Sequence, residues 1–310
     1  MKNKISIAIL LILIITGLVF SASLKNGFVN WDDTEHLIEN PMIKVLSWQS
    51  VKNIFTSFYT LNYHPLALLS YTLEYHFFGL NPVVYHTTNL ILHLLNTLLI
   101  FWLIFLLSGK VSVSFITAVL FGIHPLHVES VAWVCGRREV LYSVFFLGSI
   151  IQYLYYRKQR VMKYYYCSLF LFILAVLSKA VAINLPFVLL VCDYFIEGRL
   201  KRDNWIRKIP FFGIAVIGAM ITFFARRQGG DVGQIDVAQI FYNICIASRS
   251  LVFYLVKTVT PVKLSVVYPY PSNELSKLPW DYLFSPVVVA ILVLLVKFSF
   301  RYTRKVIFGS

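Results

Sequence analysis

Two adjacent carboxylates, Asp32 and Asp33, stand in the stretch Phe28-Val29-Asn30-Trp31-Asp32-Asp33-Thr34-Glu35. Neighbouring carboxylates can share a divalent cation through oxygen ligands, and one of them can take the proton of an attacking hydroxyl. The same residues also fit an Asx turn or a helix N-cap, with Asp33 or Thr34 starting the helix that follows. In His124-Pro125-Leu126-His127-Val128-Glu129, His124, His127 and Glu129 can ligate a metal, line a site, or cap the polar end of an apolar helix. Gly136-Arg137-Arg138-Glu139 opens another apolar run. Arginine grips phosphate with a planar fork, and a helix N-terminus adds a favourable dipole; a local ion pair of Arg138 with Glu139 or Glu129 is the alternative. Lys179, after Ser178, reads either as a further phosphate contact or as a lysine snorkelling to lipid headgroups. His64, just before Pro65, is expected to line the same site. The chain has no GxxxxGK[ST] loop and no GxGxxG fingerprint, so nothing marks a soluble nucleotide-sugar domain.

The elements that carry these residues are apolar. Hydrophobic residues make up 58% of the chain and charged residues 14%, against roughly 25% charged in soluble domains, and the mean hydropathy is +0.73. Such a chain hides its surface in lipid. About eight runs reach the ~20 apolar residues of a spanning helix, starting near Ile5, Asn89, Val113, Val140, Tyr164, Ala182, Ile209 and Phe284. The first reads as an uncleaved anchor: Lys2 and Lys4 precede it and Ser21-Ala22-Ser23 follows, but its apolar core is long for a signal peptide. The expected fold is an all-α polytopic membrane protein, a single domain over residues 1–310, with interfacial helices in the first outer loop. The four cysteines are far apart, with no zinc spacing, and read as small buried hydrophobes.

The formal charge of +14 sits in short clusters between apolar runs, the pattern of topology signals rather than of a nucleic-acid surface. With the N-terminus in the cytoplasm, Lys110, Arg157, Lys158, Arg160, Lys163, Arg199, Lys201, Arg202, Arg207, Lys208 and the C-terminal Arg301, Arg304 and Lys305 all fall inside. The stretch Ala238–Val259 is apolar but carries Arg249 and Lys257, and it is expected to be interfacial or re-entrant. Most carboxylates and histidines then fall outside. The first outer loop, about residues 25–87, is too rich in aromatics for disorder, and its part from Val51 to Phe78 reads as surface helices broken at Pro65.

The stretches NGFVNWDDTEHLIENP (from Asn26), YHPLALLSYTLEYHFFGLNPVVYHTTNLILHLLN (from Tyr63), LFGIHPLHVESVAWVCGRREVL (from Leu120), LAVLSKAVAINLPFVLLVCDYF (from Leu174) and ASRSLVFYLVKTVTPVKLSVVYPYP (from Ala247) resemble the membrane portion of the transmembrane and tetratricopeptide-repeat containing proteins, of the C-type glycosyltransferase superfamily. HPLHVESVAWVCGRRE is the most specific of them, and the family-specific late segment covers about residues 238–275. The repeats of about 34 residues that accompany the family do not occur in this sequence. The resemblance implies transfer of a sugar, mannose, from a polyprenyl-phosphate donor to a hydroxyl of protein or glycan. The enzyme would lie in a bacterial inner membrane or the ER membrane, with its site on the periplasmic or lumenal face.

In this reading Asp32 or Asp33 is the general base, and the pair holds Mg or Mn against the donor phosphate. Arg137, Arg138 and Lys179 bind that phosphate, and His64, His124, His127 and Glu129 line the site. Attack opposite the phosphate inverts the anomeric centre. The partners are the lipid-linked donor, the acceptor and membrane lipids, with no nucleic acid. The alternative is a non-catalytic membrane protein that binds or transports lipid, or a scaffold. A flippase needs polar groups along the whole path, whereas here they gather at one face.

Overall fold

The computed structural model describes residues 2–228, 237–269, 271 and 278–299. It is an all-α polytopic membrane protein, without a strand among the described residues. The helices are α1 (Lys2–Phe20), α2 (Trp48–Thr56), α3 (Pro65–Phe78), α4 (Pro82–Ser108), α5 (Val111–Gly122), α6 (Val128–Ala132), α7 (Arg137–Gln159), α8 (Met162–Ser178), α9 (Leu185–Glu197), α10 (Arg202–Ile206), α11 (Ile209–Arg227), α12 (Val237–Val259) and α13 (Trp280–Ser299). Residues 2–194 and 200–228 form one compact unit; residues 195–199 and the described residues from 237 onward belong to a second.

By length and composition, Lys2–Lys25, Pro82–Ser108, Ala180–Glu197, Ile209–Arg227 and Gln239–Val259 can cross a membrane. Val111–Gly122 with Pro125–Ala132 adds one span bent by 50°. Met162–Ser178 and Trp280–Leu295 are shorter apolar helices. The helix expected near Val140 forms as α7, but charges at both its ends dilute it. The expectation of about eight spans is therefore met by five to six helices on length and apolarity. Residues 238–259, expected to be interfacial or re-entrant, form one unbroken helix of spanning length, 11% buried. The basic cluster at Arg301, Arg304 and Lys305 lies outside the described residues.

Local signals set the element ends. Ser47 caps α2 by accepting from the Ser50 amide, and Pro65 occupies the first turn of α3. Asn81 caps α4, Pro82 opens it, and Gly109 closes it at φ 68°. The expected loop end at His86 moves back to residue 81, because His86, Asn89, His93 and Asn96 lie inside α4. All four side chains are buried. Asn89 donates to the Trp133 carbonyl (2.8 Å), Asn96 to the Val140 carbonyl (2.8 Å), and the His93 ring pairs with the Gly122 carbonyl (2.8 Å). A membrane helix turns such polar groups toward its neighbours, so the polar stripe that looks like loop in sequence is a packing face.

α1, α4 and α5 pack around Ile12, Phe101 and Ala118. α7, α8, α9 and α11 share the core of Tyr153, Phe172, Leu189 and Phe211. The first loop has its own core, where Leu37, Ile43, Ile54, Tyr71 and Tyr85 meet Val134 and Cys135. That last core brings the acidic loop to the start of α7.

Candidate active site

Asp33 locks the first loop to α7. Its carboxylate is fully buried; Oδ2 accepts from the Val29 amide (3.0 Å) and Oδ1 from the Cys135 amide (3.1 Å). Two amide donors on separate oxygens compensate the desolvated charge. The next residues, Thr34–Ile38, form a single π-type turn that Asp33 does not cap with its side chain. The N-cap expectation for Asp33 is thus replaced by a longer-range role, a strut across 102 positions of sequence. Burial, with the Asp33 charge beside it, pushes the Cys135 thiol up, which leaves it protonated and inert.

Asp32 points the other way. Its side chain is one-third exposed (34%) and accepts from Arg138 Nη2 at 3.1 Å. Arg138 also donates from Nε to the Cys135 carbonyl (3.2 Å), while its Nη1 takes no hydrogen bond among the described residues. The anticipated local pairing of Arg138 with Glu139 or Glu129 does not form. Glu139 pairs instead with Lys179, which follows the end of α8, and both side chains are about one-third exposed. The outcome is two neighbouring acid–base pairs at one end of the bundle.

Two histidines of the first loop lie behind these pairs. His36 and His64 are 4% and 5% exposed, their rings 5.4 Å apart and edge to face. His36 Nε2 meets Thr60 Oγ1 at 3.3 Å, whereas its buried Nδ1 has no partner. Burial lowers the His36 pKa to about 4; the Arg138 guanidinium adds to the fall, and Asp32 and Asp33 oppose it. His64 is driven well below the usual imidazole range by burial, then by the charges of Arg138, His36 and Lys179. Both rings are neutral near pH 7. His64 was expected at the site. His36, packed against it, carries no sequence signal beyond following Asp33 by three positions.

Arg137 is a correction. It is fully buried; Nε donates to Asn89 Oδ1, Nη1 to Ser70 Oγ (3.1 Å) and Glu74 Oε2 (3.1 Å), and Nη2 to the Tyr85 carbonyl (2.9 Å). The fork lies 5.2 Å from the Tyr71 ring centre. It therefore presents nothing to an incoming phosphate and ties α3 and α4 to the first turn of α7. Gly136 before it is equally constrained. A side chain there would stand 2.7 Å from the Glu129 carbonyl oxygen and 2.8 Å from that of Ser130.

The histidine motif holds the bend between α5 and α6. His124 Nδ1 accepts from the Leu126 amide (3.2 Å), and the His127 ring meets the Phe121 carbonyl (2.9 Å) and packs against Phe121 and His93. Glu129 is exposed. No hydrogen bond or ion pair joins His127 or Glu129 to Asp32 or Arg138 among the described residues, and the His124 and His127 bonds to Leu126 and Phe121 are those of a helix break. Nor does the cation expected on Asp32 and Asp33 fit. Both Asp33 oxygens already accept amides, and no group of three His, Cys, Asp or Glu converges among the described residues.

The chain is 34% identical over 149 residues to protein O-mannosyl-transferase TMTC1 of Mus musculus, covering 44% of this chain and 15% of that protein. Against protein O-mannosyl-transferase F38B6.6 of Caenorhabditis elegans it is 26% identical over 314 residues, 94% of this chain and 44% of that protein. With human protein O-mannosyl-transferase TMTC3 it shares 37% identity over 92 residues. These are proteins of the group that the sequence motifs resemble. The chain spans less than half the length of these relatives. No family model and no solved structure matches it.

Proposed function

We propose that this chain is the membrane part of a glycosyltransferase that moves mannose from a polyprenyl-phosphate donor to a hydroxyl of a protein acceptor, on the periplasmic or lumenal face. The homology to protein O-mannosyl-transferases supports the reaction class. The observation that carries the site is the Asp32–Arg138 pair: a part-exposed carboxylate beside an arginine whose Nη1 is open.

In this mechanism the donor phosphate meets Arg138 Nη1 and the Lys179 ammonium. Arg138 Nη2 keeps Asp32 in place while Nη1 takes the phosphate. The acceptor hydroxyl gives its proton to Asp32 while its oxygen bonds to the anomeric carbon. The bond from that carbon to the phosphate oxygen breaks, and its electron pair stays on the phosphate, which the two cations stabilise. One displacement inverts the anomeric centre, with no covalent carboxylate intermediate. Asp33 and Arg137 stay outside the chemistry and hold Asp32 and Arg138 in register.

The test is a transfer assay with membranes containing the chain, radiolabelled polyprenyl-phosphate sugars and acceptor extracts. Label is expected in protein from the mannosyl donor and not from the glucosyl one. Incorporation no greater than in membranes lacking the chain overturns the reading.

A further inference from the structure

The unit built on α12 and α13 holds a cationic side chain for which the Asp32 site has no use. Arg249 lies midway along α12, inside an apolar stretch of spanning length. An ionised residue at such a position is expensive in lipid, and where it occurs it marks a ligand path or a partner. Arg249 has a partner, but an incomplete one. Its Nε donates to Asp281 Oδ2 at 2.7 Å, and its guanidinium stands 5.6 and 5.7 Å from the ring centres of Phe253 and Tyr282. Its two terminal nitrogens take no hydrogen bond among the described residues. Arg249 borders a cavity of about 290 Å³ that Phe253, Tyr254, Tyr268 and Tyr282 also line. Lys257 stands 5.4 Å from the same Phe253 ring and donates to the Val262 and Lys263 carbonyls, which leaves Arg249 as the cation paired with the exposed Asp281. An open guanidinium edge is bidentate phosphate chemistry, and aromatic walls on a helix exposed along its length suit a lipid rather than a free ion.

We propose that this cavity binds the phosphate headgroup of a membrane lipid, with Arg249 Nη1 and Nη2 on the phosphate oxygens, Asp281 holding the fork and the tyrosines flanking the first carbons of the tail. The assignment does not rest on the transfer reaction.

The test is equilibrium binding of radiolabelled polyprenyl monophosphate to the purified full chain in detergent. An Arg138→Gln/Lys179→Gln background removes the other proposed phosphate contacts. Saturable binding is expected to persist there, to weaken at least tenfold in Arg249→Gln, the scale of a lost charge-assisted bond, and to weaken less in Arg249→Lys. Asp281→Asn, which frees the fork, should tighten it. Competition by phosphatidate as strong as by polyprenyl phosphate makes the ligand any lipid phosphate; competition by polyprenyl phosphate alone makes it the polyprenyl carrier. Both support the site. It is overturned if binding vanishes in the background, or if polyprenol or inorganic phosphate competes as well as the phospholipid. Unchanged binding in a folded Arg249→Gln protein also overturns it. Should Arg249→Gln fail to fold, Asp281→Asn decides, and no tightening refutes the assignment.

Discussion

Asp32 and Asp33 differ by one position and by everything around them. In sequence they are equivalent; in the fold one is a buried strut with both oxygens bonded, and the other is a part-exposed partner of Arg138. The same split separates Arg137 from Arg138, because successive residues at a helix start point about 100° apart. No spacing rule reveals which neighbour turns inward, since the answer lies in α3 and α4, distant in sequence. Arg137→Lys should therefore lose about 3–5 kcal/mol of stability, because it breaks a fork and leaves Glu74 poorly paired in a buried place; thermal unfolding in detergent measures this. Arg138→Lys should leave stability near wild type and weaken apparent donor affinity by roughly 1–3 kcal/mol. Equal behaviour of the two variants in both assays would contradict the division of roles.

At the scale of elements, the sequence reveals helices better than their faces. Pro65 is legible as a break, and it falls in the first turn of α3, where proline is tolerated; the start of α4 lies instead at Pro82, seven residues before the expected Asn89. The inward polar stripe of α4 was not legible, because buried and loop-borne polar residues look alike until partners are known. The turn that joins α6 to α7 depends on Gly136. Gly136→Ala should destabilise by about 1–3 kcal/mol through overpacking against backbone that cannot retreat, and should lower transfer by displacing Arg138; circular dichroism melts and initial rates together check this. The His36–His64 pair adds a pH dependence. A base whose pKa is depressed by folding leaves the unfolded chain holding the extra proton between the two values. Stability contributed by His36 is thus fully present above about pH 6.5 and falls as pH drops toward about 4. The slope of melting temperature against pH should flatten over that window in His36→Gln, and an unchanged slope would contradict the assignment.

At the scale of the whole chain, the two ends of the first unit have different chemistry. One carries Asp32, Arg138, Glu139 and Lys179. Some 20 residues along α7, about 30 Å away, Arg157, Tyr153 and Lys208 surround the fully buried Asp193 and tie α7, α9 and the start of α11. Composition and the alternation of basic clusters made the polytopic fold legible; the ionic knot was not, since Arg157 and Lys208 read only as topology signals. Orientation is testable with single cysteines at the exposed Glu35 and Asp203. An impermeant maleimide added outside should label the first and spare the second, and the reverse would place the site on the wrong face. The central claim, that Asp32 is the base and Asp33 the strut, is tested most directly by transfer in membranes carrying Asp32→Asn. With expression, melting temperature and labelling pattern as in the wild type, mannose incorporation should fall by more than about 100-fold; incorporation at the wild-type rate would contradict it.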